Sequence, residues 1–294
     1  MVTFFTTPKP FRGHNEITQK NALKSWTLLE PKCEIILFGN EEGTAEAAAQ
    51  FGARHIPTIK TNEHGMPYVN DLFRVAEEQS SRPTLVFINT DIILLDDLLP
   101  ALVSLKEPRY LMVGRRIDMD ITTPLDFSPG WEKTLRDRVK REGAMHGYSG
   151  IDYFAFPKKF WQDIPPFVVA RTSYDNWFLF NAWERKLPLI DATAVVTTIH
   201  QNHDYNTHPK GAQWVWKGPE AQRNLALAGG VGHLFTIRDA GYILTAEGLK
   251  KPPLTFYRLL TIPFRYYERS FLLKPLLFLG WAPFILWRKI RQRV

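Results

Sequence analysis

Short apolar runs alternate with segments of helical period through residues 1–116, and no other feature of this 294-residue chain restricts its fold as much. Strand candidates lie at 2–7, at 34–39 (EIILFG), at 85–94 (LVFINTDIIL) and at 110–116 (YLMVGRR). Between them, residues 15–29 place Ala22, Trp26 and Leu29 at helical spacing with Asn15 available as an N-cap, and the alanine-rich stretch 43–52 stops at glycine. Residues 68–79 put Val69, Leu72, Phe73 and Ala76 on one helix face, with Asn70, Asp71 and Arg74 off it, and a shorter helix is predicted near 98–105. Strands alternating with helices of this length specify an α/β fold, a mixed and mainly parallel sheet with helices on both faces. Ligands of such open sheets bind beyond the carboxyl ends of the strands. Thr6 and Thr7, Gly39 and Asn40, and the triplet Asn89, Thr90 and Asp91 would share that edge.

The triplet interrupts a run that is apolar on both sides, as in a strand covered on both faces. A carboxylate there must be hydrogen-bonded, paired or bound to a cation. Asp91 is therefore either a cap at a turn or a cation ligand.

The second half has a different texture. Residues 117–149 mix loop with a polar helix at 131–142 (WEKTLRDRVKRE), and GYSGIDYFAFPKKFW at 147–161 supplies a turn followed by an aromatic strand. In RTSYDNWFLFNAWE at 171–184, Asp175 and Asn176 lead into a helix rich in Trp and Phe. A strand predicted at 194–199 ends in a cluster containing His200, His203, Asp204 and His208. Tyr148, Tyr153, Trp161 and Trp177 have two readings, core residues or platforms for sugar faces. No GxGxxG follows the first strand and no GxxxxGK[ST] occurs, so dinucleotide and P-loop fingerprints are both absent.

In this setting the triplet resembles that of the nucleotide-sugar-dependent glycosyltransferases of the GT-A fold, the family-2-like group in particular. The resemblance runs over residues 1–205 by order of elements. In that family a strand ends in an Asp-x-Asp motif that holds a divalent cation and the donor diphosphate. Asn89, Thr90 and Asp91 stand in that place, with Asn89 replacing the first Asp. The resemblance implies Asp91 as a direct metal ligand and His200, at a later strand end, as a further one, with His203 the competing histidine. It implies a carboxylate base at a helix start, which Asp175 matches; an N-cap is the other reading of the same residue. Asp152 is a second acidic candidate, facing acceptor hydroxyls. Thr6, Asn70 and Arg74 are placed to meet base, ribose or diphosphate, although Arg74 also reads as a solvated helix residue.

The implied activity is inverting hexosyl transfer from a nucleoside-diphosphate sugar to a hydroxyl acceptor (glycan, lipid-linked or small molecule), with Mn2+ or Mg2+ as cofactor. A hard cation takes carboxylate oxygens and keeps positions open for phosphate. An imidazole beside the carboxylate leans towards Mn2+. Two other readings remain open: a sugar nucleotidyltransferase, whose glycine-rich GxGxRL-type loop is missing from TTPKP at 6–10, and a catalytically degenerate carbohydrate- or membrane-binding protein, for which Asn89 argues.

The charge is concentrated at one end. Residues 254–294 carry eight basic groups against Glu268 alone, a net +7 that equals the formal charge of the whole chain. The expected organisation is a domain at 1–253, divided into a nucleotide-sugar-binding half at 1–116 and an acceptor-binding half at 117–253, and a basic amphipathic helical tail at 254–294. The longest uncharged run of that tail, 275–287, has 13 residues and contains Pro283. A spanning helix needs roughly 20. Apolar and basic groups together suit the surface of an anionic membrane, and the apolar fraction is too high for a nucleic-acid arm. Cys33 is the single cysteine, which excludes an internal disulfide, and the opening MVTFFTTPKPF has no signal-peptide pattern. The expected location is the cytoplasm, peripheral at the inner face of a membrane.

Overall fold

The alternation of strands and helices is present in the computed structural model, which describes residues 2–203, 211–259 and 261. After β1 (Val2–Thr6), α1 (Gly13–Thr27) buries Ala22, Leu23 and Trp26. This helix starts ahead of Asn15, with Arg12 at the N-cap and no side-chain cap, so the predicted Asn15 cap is not used. Burial of its apolar face sets its position instead. Next come β2 (Glu34–Phe38), α2 (Thr44–Phe51), β3 (Arg54–Ile56), α3 (Val69–Gln79) and β4 (Thr84–Ile88). Asp71, predicted off the apolar face of α3, is buried; its carboxylate accepts from Lys60 N and pairs with Arg74.

LVFINTDIIL is not one strand. The chain leaves β4 at Ile88, turns through 89–91, and enters β5 (Ile92–Leu94), which belongs to another sheet. Then follow α4 (Leu98–Ser104), β6 (Leu111–Val113), β7 (Ile117–Met119), α5 (Trp131–Glu142), β8 (Ala144–Met145) and β9 (Tyr153–Pro157). The strand predicted at 110–116 is shorter, since β6 ends at Val113 and β7 begins only at Ile117, and Gly114 between them lies against Tyr153. A Cβ at Gly114 would meet the tyrosine hydroxyl at 2.6 Å. The order closes with α6 (Tyr174–Glu184), β10 (Leu189–Asp191), β11 (Thr198–Gln201), α7 (Ala212–Lys217), α8 (Pro219–Leu227), β12 (Tyr242–Thr245) and β13 (Gly248–Lys250).

Among the described residues the main sheet runs β13-β12-β10-β6-β9-β4-β1-β2-β3. β1 is parallel to β2 and β4, β2 to β3, and β10 to β6 and β12. β9 is antiparallel to both its neighbours and β13 to β12, so the sheet is mixed and mainly parallel. Consecutive residues of β1 feed opposite faces, as the strand period requires. Phe5 packs with Phe73 of α3 and with Phe87 and Phe156, in a cluster that includes Phe178 of α6. Phe4 packs with Trp26 of α1, in a cluster that includes α2 and α4. Helices therefore cover both faces.

The small sheet, in the order β5-β11-β7-β8, stands beyond the end of β4. The chain divides into two units, Met1–Lys251 and Pro252–Val294. Of the predicted tail only 254–259 and 261 are described, and the rest lies outside the described residues. Asp204 and His208 lie outside them as well. No helix among the described residues is long and apolar enough to cross a membrane.

Candidate metal centre and acid–base site

The turn at 89–91 is fastened on three sides. Thr90 Oγ1 shares a 2.8 Å hydrogen bond with Thr6 Oγ1 at the end of β1. Asn89 N donates to Asp152 O at 3.0 Å. On the third side Gln201, fully buried at the end of β11, donates from both its backbone N and its Nε2 to Asp91 O, at 3.3 and 3.1 Å. Its Nε2 also donates to Thr18 O of α1, and its Oε1 accepts from Asn21 Nδ2.

This fastening brings Asp91 to His200 and His203. One ligand atom from each of the three lies within 4.8 Å of the others. The expected strand at 194–199 is in fact β11 at 198–201, so His200 is inside a strand and His203 two residues beyond its end. Asp91 was read as lying at an exposed strand end; it is 8% exposed, because β5 and β11 cover it. Burial opposes its ionisation but is outweighed by the hydrogen bond from His203 and the positive charge of Lys9, which hold the carboxyl well below its usual range. His200 is lowered, first by burial, with the attraction of Asp91 opposing, so it favours the neutral imidazole that a metal requires.

The residues fit a divalent cation. Asp91 Oδ1 is buried without a hydrogen-bond partner. Such an orphaned acceptor is costly unless something satisfies it. One carboxylate and two imidazoles suit Mn2+ better than Mg2+. Behind His200, Asp118 Oδ1 lies 3.3 Å from Nδ1 without hydrogen-bond alignment, while its other oxygen meets His146 Nδ1.

The other two acidic candidates differ in what they are free to do. Both Asp152 oxygens are engaged: Oδ1 accepts from Asn89 Nδ2 at 2.6 Å and Oδ2 from Arg116 Nη1 at 2.9 Å. Asp152 thus braces the turn. Asp175 lies in the first turn of α6, behind a tight turn in which Ala170 and Ser173 both hold positive φ, at 58° and 90°. Such conformations cost about 1–3 kcal/mol each in non-glycine residues and mark imposed geometry. Asp175 Oδ1 is sealed from solvent and unpartnered, and the N-cap position belongs to Ser173. Burial pushes its carboxyl up to about 6, the amides of the helix start opposing and the Asp152 charge assisting.

The residues expected to contact a donor scatter. Thr6 is 1% exposed and spends its hydroxyl on Thr90, so it positions the turn. Arg74 is turned along its own helix to Asp71 and Glu78. Asn70 has a buried Oδ1 without a partner. Sequence reasoning missed Lys9, Arg116, Asp118, His146 and Gln201. The alternation of Arg116 and Asp118 was legible, but the strand was expected to end at 116 and its continuation, β7, went unread.

No protein-family model matches this chain, and no curated protein matches it. Among solved structures it is similar to glucosyl-3-phosphoglycerate synthase from Mycobacterium tuberculosis in complex with Mg2+ and uridine diphosphate, at 13% identity and TM-score 0.45 over 87% of this chain and 88% of that one. It is similar to the same enzyme in complex with Mn2+, UDP-glucose and phosphoglyceric acid at 14% identity and TM-score 0.44, again over 87% and 88%. At this distance the chemistry must be read from the chain's own residues.

Asp175 sets a pH signature. Its folded value of about 6 lies above that of an unfolded carboxyl, roughly 3.9. Between those values the folded state keeps a proton that the unfolded state has lost, so stability falls as pH rises through the window. Asp175→Asn removes that loss. In urea unfolding, the stability of the variant relative to wild type is expected to increase from pH 4 to pH 6 and level off above. A difference that does not change with pH would contradict the buried, proton-holding carboxyl.

Proposed function

We propose that this chain is a metal-dependent glycosyltransferase that moves a hexosyl group from a nucleoside-diphosphate donor to a hydroxyl acceptor. The observation that carries the reading is the convergence of Asp91, His200 and His203 from separate segments at the carboxyl edge of the sheet, where the buried Asp91 Oδ1 is left without a hydrogen-bond partner. Bound there, a divalent cation would supply positive charge to the diphosphate leaving group.

The chain's own residues account for the rest. Asp91, His200 and His203 would hold that cation, and Asp152 with Asn89 keeps the turn rigid beneath them. Asp175, with a value near neutrality, takes the proton of the acceptor hydroxyl. That oxygen forms the new bond to the anomeric carbon as the bond from this carbon to the diphosphate breaks, and the nucleoside diphosphate departs with the electron pair. Attack from the face opposite the leaving group inverts the anomeric centre. The degenerate reading loses its support at Asn89, because the amide there is matched to Asp152 and not left idle.

The test is release of nucleoside diphosphate from a panel of nucleotide sugars with Mn2+ and an acceptor panel. Asp91→Ala should lose metal-stimulated release by at least ~100-fold. Asp175→Asn should keep donor affinity and lower transfer by about 10²- to 10⁴-fold. Near wild-type release from Asp91→Ala would contradict the metal assignment, and preserved transfer in Asp175→Asn would remove the base.

The tail supports a second part of the proposal, contact with an anionic membrane from the cytoplasmic side. It joins the whole net charge of the chain to a dense set of Phe, Leu, Tyr and Trp, and of its described residues Leu254, Phe256 and Leu259 are exposed. Such a segment binds through apolar contact and salt-sensitive attraction. Full-length protein is expected to sediment with anionic vesicles, less with neutral ones, and to be released in part by salt. Indifference to anionic vesicles at low salt would refute the contact.

A further inference from the structure

Two residues of the triad, Asp91 and His203, already hold a positive charge, and it belongs to the chain. Lys9 Nζ lies 3.1 Å from His203 Nε2 and 3.6 Å from Asp91 Oδ2. Those two atoms are themselves 3.2 Å apart. An imidazole nitrogen carries either a proton or a lone pair, so Nε2 cannot donate to Asp91 and accept from Lys9 at once. Two ligand atoms closing on one ammonium form the arrangement that a metal ion would otherwise centre.

The base of this lysine is fixed and its arm is not. Gln19, 2% exposed, accepts from Lys9 N at 2.6 Å through Oε1 and donates Nε2 to Lys9 O at 2.9 Å. Pro8 and Pro10 restrict the backbone on either side. The side chain is 40% exposed, with a four-carbon stem free to swing. A metal ion on Asp91 Oδ2, at roughly 2.1 Å, would stand within a few ångströms of the ammonium, and like charges that close repel strongly. The two cannot share the centre.

We propose that Lys9 is an exchangeable internal counter-ion, which seats itself between Asp91 and His203 when no metal is bound and moves onto the donor diphosphate when one enters. This rests on the metal reading above. In the seated state it gives Asp91 Oδ2 and His203 Nε2 a shared cationic partner. Once displaced, the arm sits beside the phosphates that the metal binds and adds a second cation to the leaving group.

The consequence is two effects of opposite sign from one substitution. Binding of Mn2+ alone is measured by the electron paramagnetic resonance of free Mn2+, and binding of inorganic pyrophosphate is measured at saturating Mn2+. Both use full-length wild type, Lys9→Met and Lys9→Arg, with thermal melting to show that each is folded. Lys9→Met is expected to bind Mn2+ roughly tenfold more tightly, since no ammonium has to leave, and pyrophosphate roughly tenfold more weakly. Lys9→Arg keeps a cation and should stay near wild type in both. Equal Mn2+ affinity in wild type and Lys9→Met overturns the counter-ion, and unchanged pyrophosphate affinity overturns the transfer to diphosphate. Mn2+ bound by neither protein overturns the metal reading itself, a result distinct from equal binding by both.

Discussion

One buried carboxamide ties the candidate site to the fold. Gln201 ends β11 with no exposure, and its side chain bonds to Thr18 O, Asp91 O and Asn21 Nδ2 together. A neutral amide buried with its donors and acceptor matched is tolerable in the core, whereas a half-satisfied one is not. Because those partners lie on α1 and on the turn after β4, the register of β11 against that turn is set by the amide. His200 is the residue before it and His203 two beyond, so the bonds that satisfy Gln201 also decide which side chains face Asp91. The main sheet reaches the site through this point, since β4 leaves it at Ile88 and β5 begins the small sheet.

Three carboxyl groups around this point hold three different electrostatic positions. Asp91 is held ionised by the hydrogen bond from His203 and the charge of Lys9. Asp152 is neutralised by Arg116 and shares a short bond with Asn89. Asp175 has no ion pair among the described residues, and burial raises it towards neutrality. Environments that push apart the titration of similar groups are the usual way a site separates charge binding from proton transfer. The same view explains Asn89: an aspartate there would set a second carboxylate 2.6 Å from Asp152. The amide avoids that repulsion and fixes its own orientation, since only Nδ2 can face the carboxylate.

Much of the α/β order was legible from pattern, because α3 and α5 have faces that differ in burial while β1, β2 and β4 are short apolar runs buried on both faces. The helix at 131–142 has the bounds of α5, and Val69, Leu72, Phe73 and Ala76 all bury as their spacing requires. What was not legible are the places where the chain changes sheet. LVFINTDIIL is apolar through both β4 and β5, so hydrophobicity could not show that the turn carries it from one sheet to another. Likewise the strand expected at 110–116 stops at Val113, where Gly114 lies against Tyr153, 39 residues away in sequence. Asp91, His200 and Asp175 could be named because each stands at a predicted strand end or helix start. Lys9, Arg116 and Gln201 could not, since each owes its place to a partner distant in sequence.

Diffraction at the manganese absorption edge, from crystals grown with Mn2+ and a nucleoside diphosphate, tests the centre most directly. The expected result is one anomalous peak among Asp91, His200 and His203, touching phosphate oxygens, with Lys9 Nζ withdrawn from Asp91. An anomalous map with no peak there, or a nucleotide bound elsewhere while Lys9 remains between Asp91 and His203, would contradict it.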